Sequence, residues 1–434
     1  MRVIGISEGQ HTALWFLAML WMTLLACNAP EDTSIGSDSA SAPVSAPTWH
    51  ADVAPIVTAS CQGCHVEGGI GGFSLTTLAE VTAWSQSIYA AVASGSMPPW
   101  LASDGCNTYE QDFSLTPSEV QTVLDWIDAE MPEGDPAEAV AAEPWQATTL
   151  DRVDLSLQMP VTYTPVGEPD DYRCFVMEWP YEDDVWVTGY ELIPGNTEVV
   201  HHVIPFLIPP EDAEIYRALD EADSDEGYTC YGSPGGGLSA LTSSRWLGAW
   251  APGSGASTTP EGTGLHVTPG SLIVLQMHYF IEDTPGTDRS SLDLRIETEP
   301  QGWADVQPWT NPIWLAGVGM EIPANSTGVT HTFEYLAENT FAIQSALLHQ
   351  HTLGTASRLS VRHEDGSETC LVDIPRWDFN WQRDYRLVDP HIIEPGDTIT
   401  LDCTWDNPTD EVVSWGEGTG DEMCLGVTMM TEAP

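Results

Sequence analysis

Two groups of side chains in this 434-residue chain have the types and spacing of metal ligands. The first group lies in the C-terminal two thirds. His201 and His202 are adjacent in Val199-Val200-His201-His202-Val203, and His278 sits in Leu275-Gln276-Met277-His278-Tyr279. His349 and His351 flank Gln350, and Met423 follows Asp421-Glu422. Imidazole with thioether is a soft donor set that suits copper, Cu(I) above all, and suits zinc poorly. Three imidazoles without a thioether suit a second copper at a different potential. On a strand, His349 and His351 share a face and Gln350 points to the other, which gives it no functional role. The neighbours His201 and His202 point to opposite faces, so joint ligation needs a local twist or different ring nitrogens. Singly, a strand histidine is more often a hydrogen-bonded core residue and a methionine is usually packing; it is the conjunction that carries the reading. His266, His331, His363 and His391 fit neither set and read as structural.

The second group is Cys61-Gln62-Gly63-Cys64-His65. Two thiols at this spacing can add to both vinyl groups of a haem, with His65 beneath the iron. A zinc site would want a second cysteine pair, and none follows. Met97, held between prolines and glycine in Gly95-Ser96-Met97-Pro98-Pro99-Trp100, is the candidate sixth ligand, because a thioether raises the potential of such a haem. The surrounding pattern is helical: Thr116-Pro117-Ser118-Glu119 is a capping box with proline at its first helical position, and Val120, Val123, Leu124 and Ile127 make one apolar face. Residues 48–136 therefore read as a small all-α cytochrome c-like domain, followed by an acidic linker over 137–147.

The elements that must position the histidines are β-strands. From Asp151 on, β-branched and aromatic runs alternate with Pro/Gly/Asp turns: 185–192, 198–206, 272–280, 341–349, 358–361 and 398–405. This spacing is that of sandwiches rather than βαβ units. The fold class is mainly β.

Composition narrows the partners. There are 65 acidic residues against 12 basic ones, all arginine, for a formal net charge of −53. Such a field repels phosphate and excludes a nucleic-acid or anionic-membrane surface binder. With 42% hydrophobic residues and 18 tryptophans, the chain can bury sizeable cores. Ala13 to Ala26 is an uncharged apolar run, too short to span a bilayer comfortably, and it ends Leu24-Leu25-Ala26-Cys27. It looks like the leader and lipobox of a bacterial lipoprotein (1–27), with Cys27 the lipidated residue and 28–47 a coreless tether. The expected location is the periplasmic face of the outer membrane or the cell surface, with membrane contact only through the lipid. Setting aside Cys27, Cys61 and Cys64, six of nine cysteines remain, and in an exported chain these read as disulfides of open connectivity.

At the histidines the chain resembles the copper type II, ascorbate-dependent monooxygenases, the peptidylglycine α-hydroxylating and dopamine β-hydroxylating enzymes. The matching features are His201-His202, the Q-x-H-Y of Gln276 to Tyr279, the H-x-H of His349 and His351, and D-E-M-C at Asp421 to Cys424. Tyr172-Arg173-Cys174-Phe175 and Ile322-Pro323-Ala324-Asn325-Ser326 also look like family segments. The resemblance covers roughly 148–434 and implies two jelly-roll-like sandwich domains, 148–304 and 305–434, with one copper each. It implies that His201, His202 and His278 hold the electron-accepting copper, and that His349, His351 and Met423 hold the copper where O₂ and substrate react. It also implies disulfides Cys174–Cys230 and Cys403–Cys424, leaving Cys106 and Cys370 open.

The chain departs from the peptide-amidating members where those grip a substrate carboxylate; here the corresponding places hold Leu347, Leu425 and Val427. Without a cationic anchor a less polar small molecule is the expected substrate. The reading is a dicopper hydroxylase of a C–H bond, with electrons from its own haem, from ascorbate, or from a cationic redox protein. The alternative is a non-catalytic periplasmic haem/copper electron carrier or copper-binding protein. A sandwich that has lost its metals is a third reading, weakened by all six ligand positions being filled.

Overall fold

The computed structural model describes residues 46–167, 169–237, 243–281 and 286–433. The apolar leader, Cys27 and nearly all of the tether lie outside the described residues. No helix among the described residues is long and apolar enough to cross a membrane.

The described chain begins with a short π-helix, Trp49–Val53, and four helices, Ala54–Ser60, Leu78–Ala83, Ser85–Ser94 and Pro117–Asp128. The last starts as its sequence dictates. Thr116 Oγ1 accepts from the Glu119 backbone N–H at 3.3 Å, and the Glu119 carboxylate accepts from the Thr116 N–H at 2.8 Å. Its Val123, Trp126 and Ile127 close a small core with Trp49, Val53 and Val81.

The expectation of a separate all-α domain over 48–136 needs correcting: the helical region is short, and residues 95–113 between its helices are sewn into the C-terminal β part. Leu101, Ala102 and Tyr109 belong to the same core as Ile343, Leu371 and Trp405. Ser103 N–H donates to Asp373 O at 2.8 Å and Tyr109 Oη donates to Leu371 O at 2.9 Å. Cys106 is bonded to Cys370, their Cα atoms 5.2 Å apart. The physical reason is burial: this segment has apolar side chains but no helix of its own to cover them.

From residue 155 the chain is mainly β, interrupted by an α-helix, Ala213–Ala222. One apolar core, including Phe175, Leu207, Leu275, Met277 and Leu294, lies under the strands Asp170–Glu178, Val200–Ile208, Leu272–Phe280 and Ser291–Glu297. A second unites a four-stranded sheet, ordered Ser326–Leu336, Thr398–Asn407, Gly354–Arg362, Glu368–Ile374, with the strands Phe341–His349 and Asp384–Ile393. Nearly all pairings are antiparallel, as short turns between successive strands require. Asp305, at the expected division between sandwiches, lies inside the strand Gly302–Trp309, which pairs with Leu425–Thr431 along six residues and thereby joins the two halves by hydrogen bonds.

The strands that carry the histidines are the central ones. Leu272–Phe280 is buried at eight consecutive positions and is flanked by Asp170–Glu178 and Val200–Ile208. Phe341–His349 is likewise buried along its length until His349 emerges at the end. Continuous apolar runs suit strands covered on both faces, and such strands hold side chains to one register, since a slip of one residue would invert every side chain.

Candidate metal centre

His201, His202 and His278 converge. Their three Nδ1 atoms lie 3.2–3.3 Å from one another. A first-row metal about 2.0 Å from each of three imidazole nitrogens at tetrahedral angles separates those nitrogens by about 3.3 Å, so the cluster has the dimensions of a metal cradle. The backbone explains how adjacent residues share it. Val200 pairs with Tyr279 and His202 with His278, and the register shifts between them, so His201 is the extra residue of a β-bulge. The bulge supplies the local twist that turns both rings to one side. Burial, then the neighbouring rings, push His201 down to about 3 and His202 well below the ordinary histidine value; burial also lowers His278, against the opposing pull of Asp170 and Asp171, so all three are neutral and ligand-competent at neutral pH.

Two residues outside the motifs orient the cradle. Asp170 Oδ1 lies 2.8 Å from His278 Nε2, which fixes a proton there and turns Nδ1 inward. Burial opposes ionisation of Asp170, but His278 and the side chain and N–H of Thr419 outweigh it and bring its pKa to about 2. Tyr172 stacks on the His278 ring at 4.1 Å and 6°, and Phe379 stacks on His201 at 4.7 Å.

His349 and His351 lie with ring centroids 5.2 Å apart. Gln382 Oε1 is 2.5 Å from His349 Nδ1 and Asp421 O is 3.1 Å from His351 Nδ1, which leaves both Nε2 atoms as donors for a metal. Burial pushes these rings to about 3 and about 4. Met423 is 7% exposed and is held by its neighbours. Cys424 is bonded to Cys403, while the Glu422 carboxylate accepts from His351 N–H at 2.9 Å and from Trp405 Nε1 at 2.8 Å. The two ligand sets face each other, the rings of His202 and His349 being 5.7 Å apart. His202, His349, His351 and Met423 line one cavity of about 580 Å³.

Leu347, Leu425 and Val427 line the same cavity, so the three positions without a cationic anchor form an apolar wall. Arg245 also reaches the lining, but its guanidinium is bonded to Asp305 at 2.9 Å. Gln350 is buried, with its amide placed to donate to Ala356 O and accept from Thr404 N–H, both at 3.2 Å, as a brace between strands. His266 stacks on Trp186, His331 bonds Glu321 O at 3.1 Å, and His363 bonds Asp397 and Thr369, all away from the cavity. His391 packs against His363, 5.6 Å between centroids.

Cys61 and Cys64 are free thiols, whereas Cys106–Cys370, Cys174–Cys230 and Cys403–Cys424 are disulfides. Burial pushes the Cys61 thiol up to about 12. His65, half-buried, packs against Phe73 at 4.4 Å, and Phe73 stacks in turn on the partly exposed Trp84. Met97 lines a different cavity, of about 250 Å³, with Leu115, Val120 and Trp100; His65 is not part of that lining.

Residues 320–430 match the family described as copper type II ascorbate-dependent monooxygenase, C-terminal domain. The chain is 27% identical over 286 residues to DBH-like monooxygenase protein 1 of Gallus gallus, covering 60% of this chain and 44% of that protein. It is 25% identical over 251 residues to the protein of the same name from Mus musculus (53% and 39% covered), and 25% identical over 284 residues to MOXD1 homolog 1 of Drosophila melanogaster (57% and 38% covered). The chain thus aligns with less than half the length of these relatives. Among solved structures, PNGase F from Flavobacterium meningosepticum overlaps 64% of this chain and 96% of its own at 9% identity, with a TM-score of 0.28.

Proposed function

We propose that the protein is a dicopper monooxygenase that hydroxylates a C–H bond of a small, weakly polar organic molecule. The observation that carries this reading is that an all-imidazole set and an imidazole–thioether set face one cavity, in a chain whose residues 320–430 match a copper monooxygenase family. Copper bound by His201, His202 and His278 and by His349, His351 and Met423 would supply one-electron chemistry toward O₂. The protein's own contribution can be read from its residues. Burial keeps the five rings unprotonated, Asp170 and Gln382 hold two of them in a single tautomer, and Glu422 ties Met423 to the backbone of His351. Leu347, Leu425 and Val427 offer a substrate an apolar wall and exclude water from it.

We also propose one covalent haem at Cys61, Cys64 and His65 with Met97 as sixth ligand. Two thiols left free where the other described cysteines all form disulfides support it, as do the aromatic side chains around His65. Lipidation at Cys27 and export are part of the same reading, the three disulfides being consistent with an oxidising compartment. A tethered haem would feed electrons singly to the His201/His202/His278 copper, with ascorbate or a cationic redox protein as the upstream donor. The test is to incubate the reduced holoprotein with a metabolite extract under ¹⁸O₂. A product carrying one labelled oxygen is expected. O₂ uptake without any labelled product would favour an electron carrier or copper-binding protein instead.

A further inference from the structure

Trp145 packs on the middle of the Cys61–His65 motif: a Cβ built at Gly63 would lie 2.5 Å from Trp145 Cε3, so only glycine fits there. Arg383 also stands against Trp145. Its guanidinium carbon lies over the rings of Trp100 at 4.8 Å, Phe113 at 4.9 Å, Trp145 at 5.8 Å and Tyr385 at 6.0 Å. Its Nε is buried without a hydrogen-bond partner. Eight described arginines, Arg152, Arg173, Arg217, Arg245 and Arg295 among them, have a carboxylate within ion-pair distance. Arg289, Arg376 and Arg383 have none among the described residues, but Arg289 and Arg376 donate to the Met159 and Gly95 carbonyls, whereas the Arg383 guanidinium makes no hydrogen bond among the described residues. In a chain with 65 acidic residues that is a departure. Asp112, Asp384 and Tyr385 act on it only from farther off, and Cys64 is close enough to act as well. Arg383 is half-buried, its cation lies against aromatic faces and its buried Nε–H has no partner; a carboxylate in the guanidinium plane is the group that fits that fork.

We propose that Arg383 is an anion-binding residue of the haem site and pairs with a carboxylate of the porphyrin attached at Cys61 and Cys64. The inference rests on the haem reading of that motif. The carboxylate comes from the motif side: Gln382 lines the copper cavity and Arg383 does not, so a substrate in the cavity does not reach it. The same two residues make a bridge, since Gln382 holds the metal-ligand candidate His349 at 2.5 Å.

The test uses the full chain, matured in a host that attaches c-type haem, as wild type and as Arg383→Gln. Covalent haem is counted by pyridine haemochrome spectroscopy, and its midpoint potential is measured between about pH 5 and pH 8. Loss of the cation favours Fe(III), so Arg383→Gln should keep its haem but shift the Fe(III)/Fe(II) ratio about tenfold toward Fe(III) at fixed potential, about 59 mV for one electron. Without its partner the carboxylate should titrate inside that pH range, so the variant's potential should fall as pH rises while the wild type stays flat. Asp112, Asp384 and Tyr385 are present in both proteins and cancel, and Cys64 is then a thioether. A variant with one covalent haem and unchanged potential and pH profile would overturn the inference and leave the haem reading standing. A wild type that takes up no covalent haem ends both. If Arg383→Gln does not fold, the wild-type profile decides alone: a carboxylate titrating above about pH 6 removes Arg383 as its partner, whereas a flat profile supports it.

Discussion

Three imidazoles that meet through Nδ1 rather than Nε2 put their metal close to the backbone, and this makes the orientation of each ring a matter of what holds its other nitrogen. For His278 that is Asp170, 2.8 Å away. Asp170→Asn keeps the shape but removes the charge that raises ligand basicity. Copper affinity at this site should drop about 10–100-fold, measured by competition with a chelator in a protein otherwise loaded normally. An unchanged affinity would reduce Asp170 to a packing role. At the second set the decisive atom is a sulfur. Met423→Leu preserves volume and should abolish turnover, while metal analysis still finds copper at His201, His202 and His278. Turnover that survives that change would mean Met423 only packs. The wall opposite is tested by adding what it lacks. Leu347→Arg places a cation in the apolar cavity and should shift preference toward carboxylate-bearing substrates by about tenfold or more in kcat/KM, the scale of one charge-assisted hydrogen bond.

The elements show how far the sequence could be read. Strand positions 272–280 and 341–349 were legible to the residue, because a continuous apolar run between turn residues has few other places to go. The ligand types were legible from donor chemistry. The bulge at His201 was legible only as a need: the adjacent histidines required a twist, but no turn residue announces it in Val199 to Val203. Asp170 and Gln382 carried no signal. One aspartate among 65 acidic residues has no local signature, and Gln382 meets His349 across 33 residues of chain. The segment 95–113 misled for a similar reason: its partners, Asp373, Leu371 and Cys370, are more than 260 positions away. Its Cys106–Cys370 bond closes a loop of 264 residues. Replacing both cysteines by serine should lower stability by about 2–4 kcal/mol, read as a fall in the urea midpoint with a steeper slope, since the denatured chain freed of its cross-link exposes more surface. No change would mean the hydrogen bonds of 103–110 hold the segment by themselves.

For the whole molecule, the question is how a helical module and two metal sets would serve one reaction. The stretch from Trp377 to Tyr385 touches each of them. Trp377 Nε1 donates to His351 O at 3.2 Å, Phe379 stacks on His201, Gln382 holds His349, and Arg383 lies over the Trp145 ring that covers Gly63. A haem attached beside Gly63 would therefore be separated from the copper ligands by packed side chains of one segment, a covalently tethered arrangement that raises the donor's effective concentration to roughly the millimolar range. The net charge of −53 acts on the earlier step. It would draw in a basic donor protein, and at about 0.1 M salt the screening length is only about 10 Å, so that encounter should weaken as salt rises. The internal step has no such dependence, since its partners are already in place. Anaerobic stopped-flow mixing separates the two. Haem pre-reduced and mixed against oxidised copper should reoxidise as copper is reduced, at a rate independent of protein concentration and nearly independent of salt, and slower in Met97→Ala. Reduction of the haem by a basic cytochrome should slow steeply over the same salt series. Haem that stays reduced beside Cu(II) would show that electrons reach copper by another way, and direct reduction by ascorbate would then be the simpler account.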